Sequence, residues 1–185
     1  MSINVEDYFA PETFKKMKAF ADQHETPFVV IDTATIARAY DEIAENFPFA
    51  KIYYAVKANP AIEITKLLHE KGSNFDIASI YGLDKVMSCG VKPEQISFGN
   101  TIKKARDVRY FYEKGVRMFA TDSEADLRNI AKAAPGSKIY VRILTEGSAS
   151  ADWPLSRKFG CQTDMAMDLL VLARELGLVP YGVSF

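Results

Sequence analysis

Two cysteines, two histidines and a single tryptophan occur in 185 residues. Cys89 and Cys161 are too few for a disulfide framework in a chain of this size, and neither belongs to a CxxC pair or to a histidine cluster with metal-ligand spacing. A disulfide scaffold is excluded, no metal site is expected, and a reducing, cytoplasmic setting fits best. There is no excess of positive charge either: 23 basic side chains face 24 acidic ones, a formal net charge of -1. That argues against a nucleic-acid binder and against a polybasic membrane anchor. No apolar stretch reaches the roughly eighteen residues of a membrane span. The N-terminal MSINVEDYFA is acidic, with neither a positive leader nor an apolar core, so secretion is not expected. P-loop, GxGxxG, GxSxG and HExxH patterns are all missing, which removes support for nucleotide binding, serine hydrolysis and zinc proteolysis. What remains is a chain 48% hydrophobic and 12% aromatic, with material for a substantial core. Small-molecule chemistry becomes the leading class.

From about residue 33 one pattern recurs: a short β-type run, a polar junction, an amphipathic helix, then a glycine. The strand candidates are 51–56, 74–78, 95–99, 117–120, 138–143 and 180–185, near-continuous apolar or aromatic runs of the kind buried on both faces of a parallel sheet. Helix-period stripes lie between them: Ile64, Leu67 and Leu68; Leu83, Val86 and Met87; Ile102, Ala105 and Val108; Leu127, Ile130 and Ala131; and Met167, Leu170 and Val171. The helices are predicted to stop at Gly72, Gly90, Gly115, Gly136 and Gly177. Ser123 followed by Asp126 reads as a capping box. Ahead of the repeats, 11–23 reads as a helix, PFVVI at 27–31 as a strand, and 34–47 as a helix with Ile36, Tyr40, Ile43 and Phe47 facing inward. The irregular stretch 146–162 is long enough to be a functional loop.

Repeats about twenty residues apart, with no long break to mark a topological switch, favour a barrel over a doubly wound sheet. A complete barrel needs eight strands. The sixth candidate runs into Phe185, so the barrel is expected to be truncated.

In such folds chemistry sits at the C-terminal ends of the strands. Lys57, Asp76, Asn100, Asp122 and Arg142 fall at or near those ends. Lys57 follows a buried apolar run directly. Partial shelter from water there would disfavour its ammonium form and supply a neutral nucleophile; the alternative is a strand-end lysine that extends its charge to solvent. Asp76 suits orienting a cationic partner, or capping a helix. Arg142 suits holding a carboxylate or phenolate, or a surface ion pair. Asn100 and Asp122 read as caps, and His24 and His69 as surface residues.

YAVKANP at 54–60 resembles the pyridoxal-phosphate lysine motif of the fold-type III decarboxylases, which act on ornithine, lysine, arginine or diaminopimelate. FDIAS at 75–79, ISFGNTIKK at 96–104, MFATDS at 118–123, YVRIL at 140–144, PLSRKFGC at 154–161 and YGVSF at 181–185 follow in that family's order. FDIAS, FGNTIKK and SRKFGC are most similar to the bacterial ornithine/lysine decarboxylase branch. The resemblance implies an alanine-racemase-type (β/α)8 barrel over 33–185, here incomplete, with 1–32 a leading helix and strand belonging to a β-domain otherwise absent. It implies pyridoxal 5'-phosphate held by Lys57 as a Schiff base, with Asp76 and Arg142 in the polar shell around it. It further implies decarboxylation of a basic amino acid, ornithine or lysine, to a diamine for polyamine synthesis, and a homodimer for full-length members. Relatives usually carry a glutamate where this chain has Gly82. With the remaining site residues expected beyond Phe185, this chain alone is expected to be weakly active or inactive. The alternative is a dead homologue that binds a partner.

Overall fold

The structure, a computed structural model, describes residues 8–145 and 159–185. The chain divides into two compact units, residues 1–35 and 36–185. In the first, α1 (Pro11–Ala21) starts with proline at its first turn, where no amide partner is lost, and carries Glu12 at its positive end. The Phe20 ring stacks on His24 at 3.8 Å and meets Phe28 edge-on at 6.0 Å. Asp32 starts the next helix, α2 (Thr33–Asn46), by accepting from the Ala34 amide at 2.9 Å and the Thr35 hydroxyl at 2.8 Å. PFVVI at 27–31 is not a strand, contrary to the sequence reading. A ladder needs a neighbouring edge; none pairs with this segment among the described residues, and Val29 is 86% exposed.

The second unit holds six parallel strands in sequential order: β1 (Tyr53–Ala55), β2 (Asn74–Ile77), β3 (Ile96–Phe98), β4 (Met118–Thr121), β5 (Lys138–Arg142) and β6 (Val179–Ser184). Between them run α3 (Ile62–Glu70), α4 (Ile80–Ser88), α5 (Ala105–Glu113), α6 (Glu124–Ala133) and α7 (Thr163–Glu175). This is the (β/α) order of a barrel wall, open at β1 and β6 among the described residues. The five glycines predicted to end helices all have positive φ, between 71° and 97°, which a residue without Cβ adopts freely.

Alternation along the strands gives the sheet two unlike faces. Phe75, Ile77, Ile96, Phe98, Phe119, Ile139 and Val141 are almost fully buried, packed with the helix residues Leu83, Val86, Val108, Phe111, Leu127 and Ile130. Phe98 and Phe111 stack at 3.9 Å. Each such side chain contributes about 1.5–3 kcal/mol by leaving water. The opposite face carries Tyr53, Asp76, Ser97, Tyr140 and Arg142, so the strands are not buried apolar on both sides as their composition suggests.

Several local expectations are corrected. Ile102 lies ahead of α5 and is 69% exposed, because the turn after β3 delays the helix to Ala105. In α2, Ile36 and Tyr40 pack on the core, but Ile43 and Phe47 are exposed; in α7 the buried face is Ala166, Leu169 and Ala173, with Leu170 at its edge, while Met167 and Val171 face outward. Ser123 does cap α6, accepting from the Asp126 amide at 3.4 Å. The Asp126 carboxylate does not return the bond: it accepts from Lys103 at 2.7 Å and from the Thr121 hydroxyl at 2.8 Å. Most of the expected loop at 146–162 lies outside the described residues.

Candidate functional site

The polar inner face lines a cavity of about 820 Å³, bounded by Tyr53, Asp76, Ser97, Tyr140, Arg142 and residues of β6. Asp76 is its most unusual member. It projects from β2 on the face opposite Phe75 and Ile77, whose burial under the helices fixes the register that aims it inward. Its Oδ1 is buried without a hydrogen-bond partner. Desolvation pushes its carboxyl up to about 6; the Ser97 hydroxyl, the Lys57 charge, the Gly99 amide and the Arg142 charge oppose that rise. An acid with one free oxygen is thereby held between two cations.

Gly99 makes room for it. A Cβ built there would collide with both Asp76 carboxylate oxygens, so the backbone after β3 approaches the acid only because the side chain is missing.

Arg142 ends β5 on the inner face. Its guanidinium lies over the Phe159 ring, 5.6 Å from the centroid, which restricts a long side chain that would otherwise sweep the rim. The segment carrying Phe159 is tied down behind it. The Gly160 amide donates to Asp122 at 2.9 Å, the Cys161 amide donates to the Arg142 carbonyl at 3.0 Å, and Leu144 donates to the Cys161 carbonyl at 2.9 Å. Gly160 has φ +103°, and a Cβ there would meet the Ile143 backbone at 2.8 Å, so the close approach requires glycine. Asp122 is therefore a tie to this segment, not a cap. Asn100 forms a local turn by accepting from the Ile102 amide at 3.3 Å.

Of the two readings of Lys57, the structure matches the one that extends its charge to solvent. The turn after β1, closed by the Ala58 amide on the Ala55 carbonyl at 3.0 Å, carries the chain away from the sheet, and Lys57 is exposed, not sheltered. It lines a separate groove of about 300 Å³ with Pro60, Ser79, Tyr81, Gly82 and Lys85, while its charge acts on Asp76. Two of the three predicted residues thus share the cavity, and the third stands beside it. At Gly82 the amide donates to Ser79 at 3.2 Å, and a Cβ would come within 3.0 Å of the Ile77 methyl, so any side chain there needs Ile77 to yield.

Sequence reasoning missed Ser97, Gly99 and Tyr140. The signal was the spacing: Ser97 and Gly99 share a parity on β3, as do Tyr140 and Arg142 on β5, which places all four on Asp76's side of the sheet. It also missed Lys103, whose ammonium is fully buried and donates to the Asn100 carbonyl at 3.0 Å, the Ala120 carbonyl at 2.7 Å and Asp126.

Residues 33–185 match the family described as pyridoxal-dependent decarboxylase, pyridoxal binding domain. The lysine/ornithine decarboxylase of Selenomonas ruminantium is 34% identical over 171 residues, covering 92% of this chain and 43% of that protein. Antizyme inhibitor 2 of Xenopus laevis is 34% identical over 158 residues, covering 85% and 34%. The crystal structure of lysine decarboxylase from Selenomonas ruminantium superposes with a TM-score of 0.83 at 34% identity, over 91% of this chain and 44% of that one. The chain spans less than half the length of these relatives.

Proposed function

The chain belongs to the pyridoxal-dependent decarboxylases, and from that membership we propose that it is the cofactor-binding portion of an enzyme that decarboxylates ornithine or lysine to a diamine in polyamine synthesis. The observation that carries this reading is Asp76, an acid in the cavity wall that keeps one buried oxygen without a partner and feels the charges of Lys57 and Arg142.

These residues fit pyridoxal phosphate. An exposed amine beside the cavity can condense with an aldehyde, a half-buried acid in the cavity wall suits a polar or cationic edge, and a guanidinium braced on an aromatic ring suits an anionic group. When bound, that cofactor supplies the electron sink that lets a carboxylate leave an α-carbon as carbon dioxide. Lys57 would hold it, Asp76 would orient the polar edge presented to the inner face, and Arg142 would fix an anion at the rim. In the polar wall beside Asp76, the Ser97 and Tyr140 hydroxyls already pair with each other at 2.7 Å. The homodimer of the whole protein and a cytoplasmic setting belong to the same reading, the latter supported by the free thiols Cys89 and Cys161. No helix of the described residues is long and apolar enough to cross a membrane.

A second reading, a partner-binding homologue without activity, is favoured by the antizyme inhibitor among the relatives. One experiment separates the two. Pyridoxal phosphate is added, the visible band of a lysine adduct is recorded, and borohydride-trapped protein is mapped by mass spectrometry. The proposed function expects the band in the native chain, its loss in Lys57→Ala, and the trapped mass at Lys57. A band equal in both proteins overturns the lysine's role. A band without diamine from the full-length enzyme favours the partner-binding reading.

A further inference from the structure

Beneath Asp76 lies a feature that neither the three predicted residues nor the family match assigns. Ser97 stands beside Asp76 in the parallel register of β2 and β3. Its Oγ lies 2.7 Å from the Tyr140 hydroxyl, which comes from β5, two strands away. The ring crosses the intervening strand because Tyr140's register partner on β4 is Ala120, too small to block it. Two hydroxyls from β3 and β5 therefore meet under an acid on β2, inside the cavity wall.

A pair of hydroxyls that share one hydrogen bond has one proton left to donate, whichever oxygen donates between them. The groups whose fields reach Tyr140 are Asp76, Ser97, Tyr53 and Arg142. Arg142 has no acceptor, and a neutral phenol is a weaker acceptor than a carboxylate. The charged acceptor within reach of the pair is Asp76. Burial together with the Asp76 charge also pushes the Tyr140 phenol well above its ordinary range, so it stays a donor.

We propose that Tyr140 and Ser97 form a hydroxyl relay that turns one proton onto Asp76, making them positioning residues that fix its carboxylate in the cavity wall. The role in catalysis rests on the cofactor reading above; the relay itself is a property of the chain's own side chains. It makes Asp76 responsive to a residue three strands away. The charged groups facing Asp76 are Lys57 from the turn after β1 and Arg142 from β5, and neither is altered by changing the hydroxyls.

The test uses the whole cofactor-free chain with carboxyl-labelled aspartate. The Asp76 resonance is assigned with Asp76→Asn and titrated by carbon NMR. Ser97→Ala is expected to raise the Asp76 midpoint by about half a pH unit or more, since a donor that favours the charged form is lost. Ser97→Thr, which keeps the hydroxyl, restores the native midpoint. Tyr140→Phe shifts it in the same direction by less, and adds nothing in the Ser97→Ala background, because Tyr140 acts through Ser97. An unchanged midpoint in Ser97→Ala overturns the relay, and so does a Tyr140→Phe shift that adds in full. Because no cofactor is present, failure here is distinct from failure of Lys57 to take up pyridoxal phosphate.

Discussion

Two acids on opposite sides of the sheet, Asp126 among the helices and Asp76 on the inner face, are both withdrawn from water and both have carboxyls pushed upward by desolvation. Their surroundings differ in kind. Asp126 meets the Lys103 ammonium and the Thr121 hydroxyl through one oxygen, while Lys103 spends its other protons on two carbonyls. Asp76 faces two cations at longer range and keeps a buried oxygen with no partner. A satisfied buried pair ties structure together, here the turn after β3 to β4 and α6. An unsatisfied buried acid costs stability and persists where something else uses it. The contrast divides scaffold from site across one sheet.

The sharpest way to break the comparison is to orphan Asp126. Lys103→Met leaves a buried carboxylate with one hydroxyl donor and is expected to cost about 3–5 kcal/mol in urea unfolding. Replacing both partners, Lys103→Met with Asp126→Leu, should recover most of that loss, because the desolvation penalty of two ions disappears with their attraction. A loss under about 1 kcal/mol for the single variant would mean that the pair ties nothing together.

Asp76→Asn should act in the opposite sense. The folded carboxyl holds its proton up to about pH 6, against an ordinary value of 3.8, so the folded chain binds more protons than the unfolded one between those limits. The Asp76 contribution to stability is therefore most favourable below about pH 4, declines as pH rises towards 6, and is level above it. Asparagine removes that slope. At pH 7.5 the variant is expected to be more stable than the native chain by on the order of 2–3 kcal/mol, with the difference gone near pH 3.5. Parallel urea-against-pH profiles for the two proteins would show that Asp76 is not desolvated in the folded state.

The same contrast explains what could be read from the sequence. Strand order, helix stripes and the five terminal glycines were legible because each is a local pattern: a run of Ile and Phe, a 3.6-residue period, a residue without Cβ where the chain must turn left-handed. Asp76 and Arg142 were legible by position at strand ends. The Lys103–Asp126 pair was not, since 23 residues separate the partners and Asp126 sits where a capping box is expected. Nor was the Ser97–Tyr140 contact, which depends on Ala120 being small on the strand between. Lys57 stayed open between shelter and solvent for a local reason: an apolar run before a lysine fits both, and only the turn that follows decides which way the chain leaves the sheet.

Gly99 offers the smallest and most specific test, since it touches the site without touching the core. Gly99→Ala places a methyl where the Asp76 carboxylate lies, and its backbone is not left-handed, so the whole penalty is steric. Overpacking of this kind costs about 1–3 kcal/mol when neighbours cannot yield. Asp76 sits on a strand end facing a cavity of about 820 Å³ and has somewhere to go, so the lower end of that range is expected. In Asp76→Ala the alanine at 99 should cost almost nothing, giving an interaction term close to the single-variant loss in urea unfolding. A penalty that survives removal of the carboxylate would place the collision in the backbone after β3. Gly99 would then serve the turn, and the acid would hold its place without it.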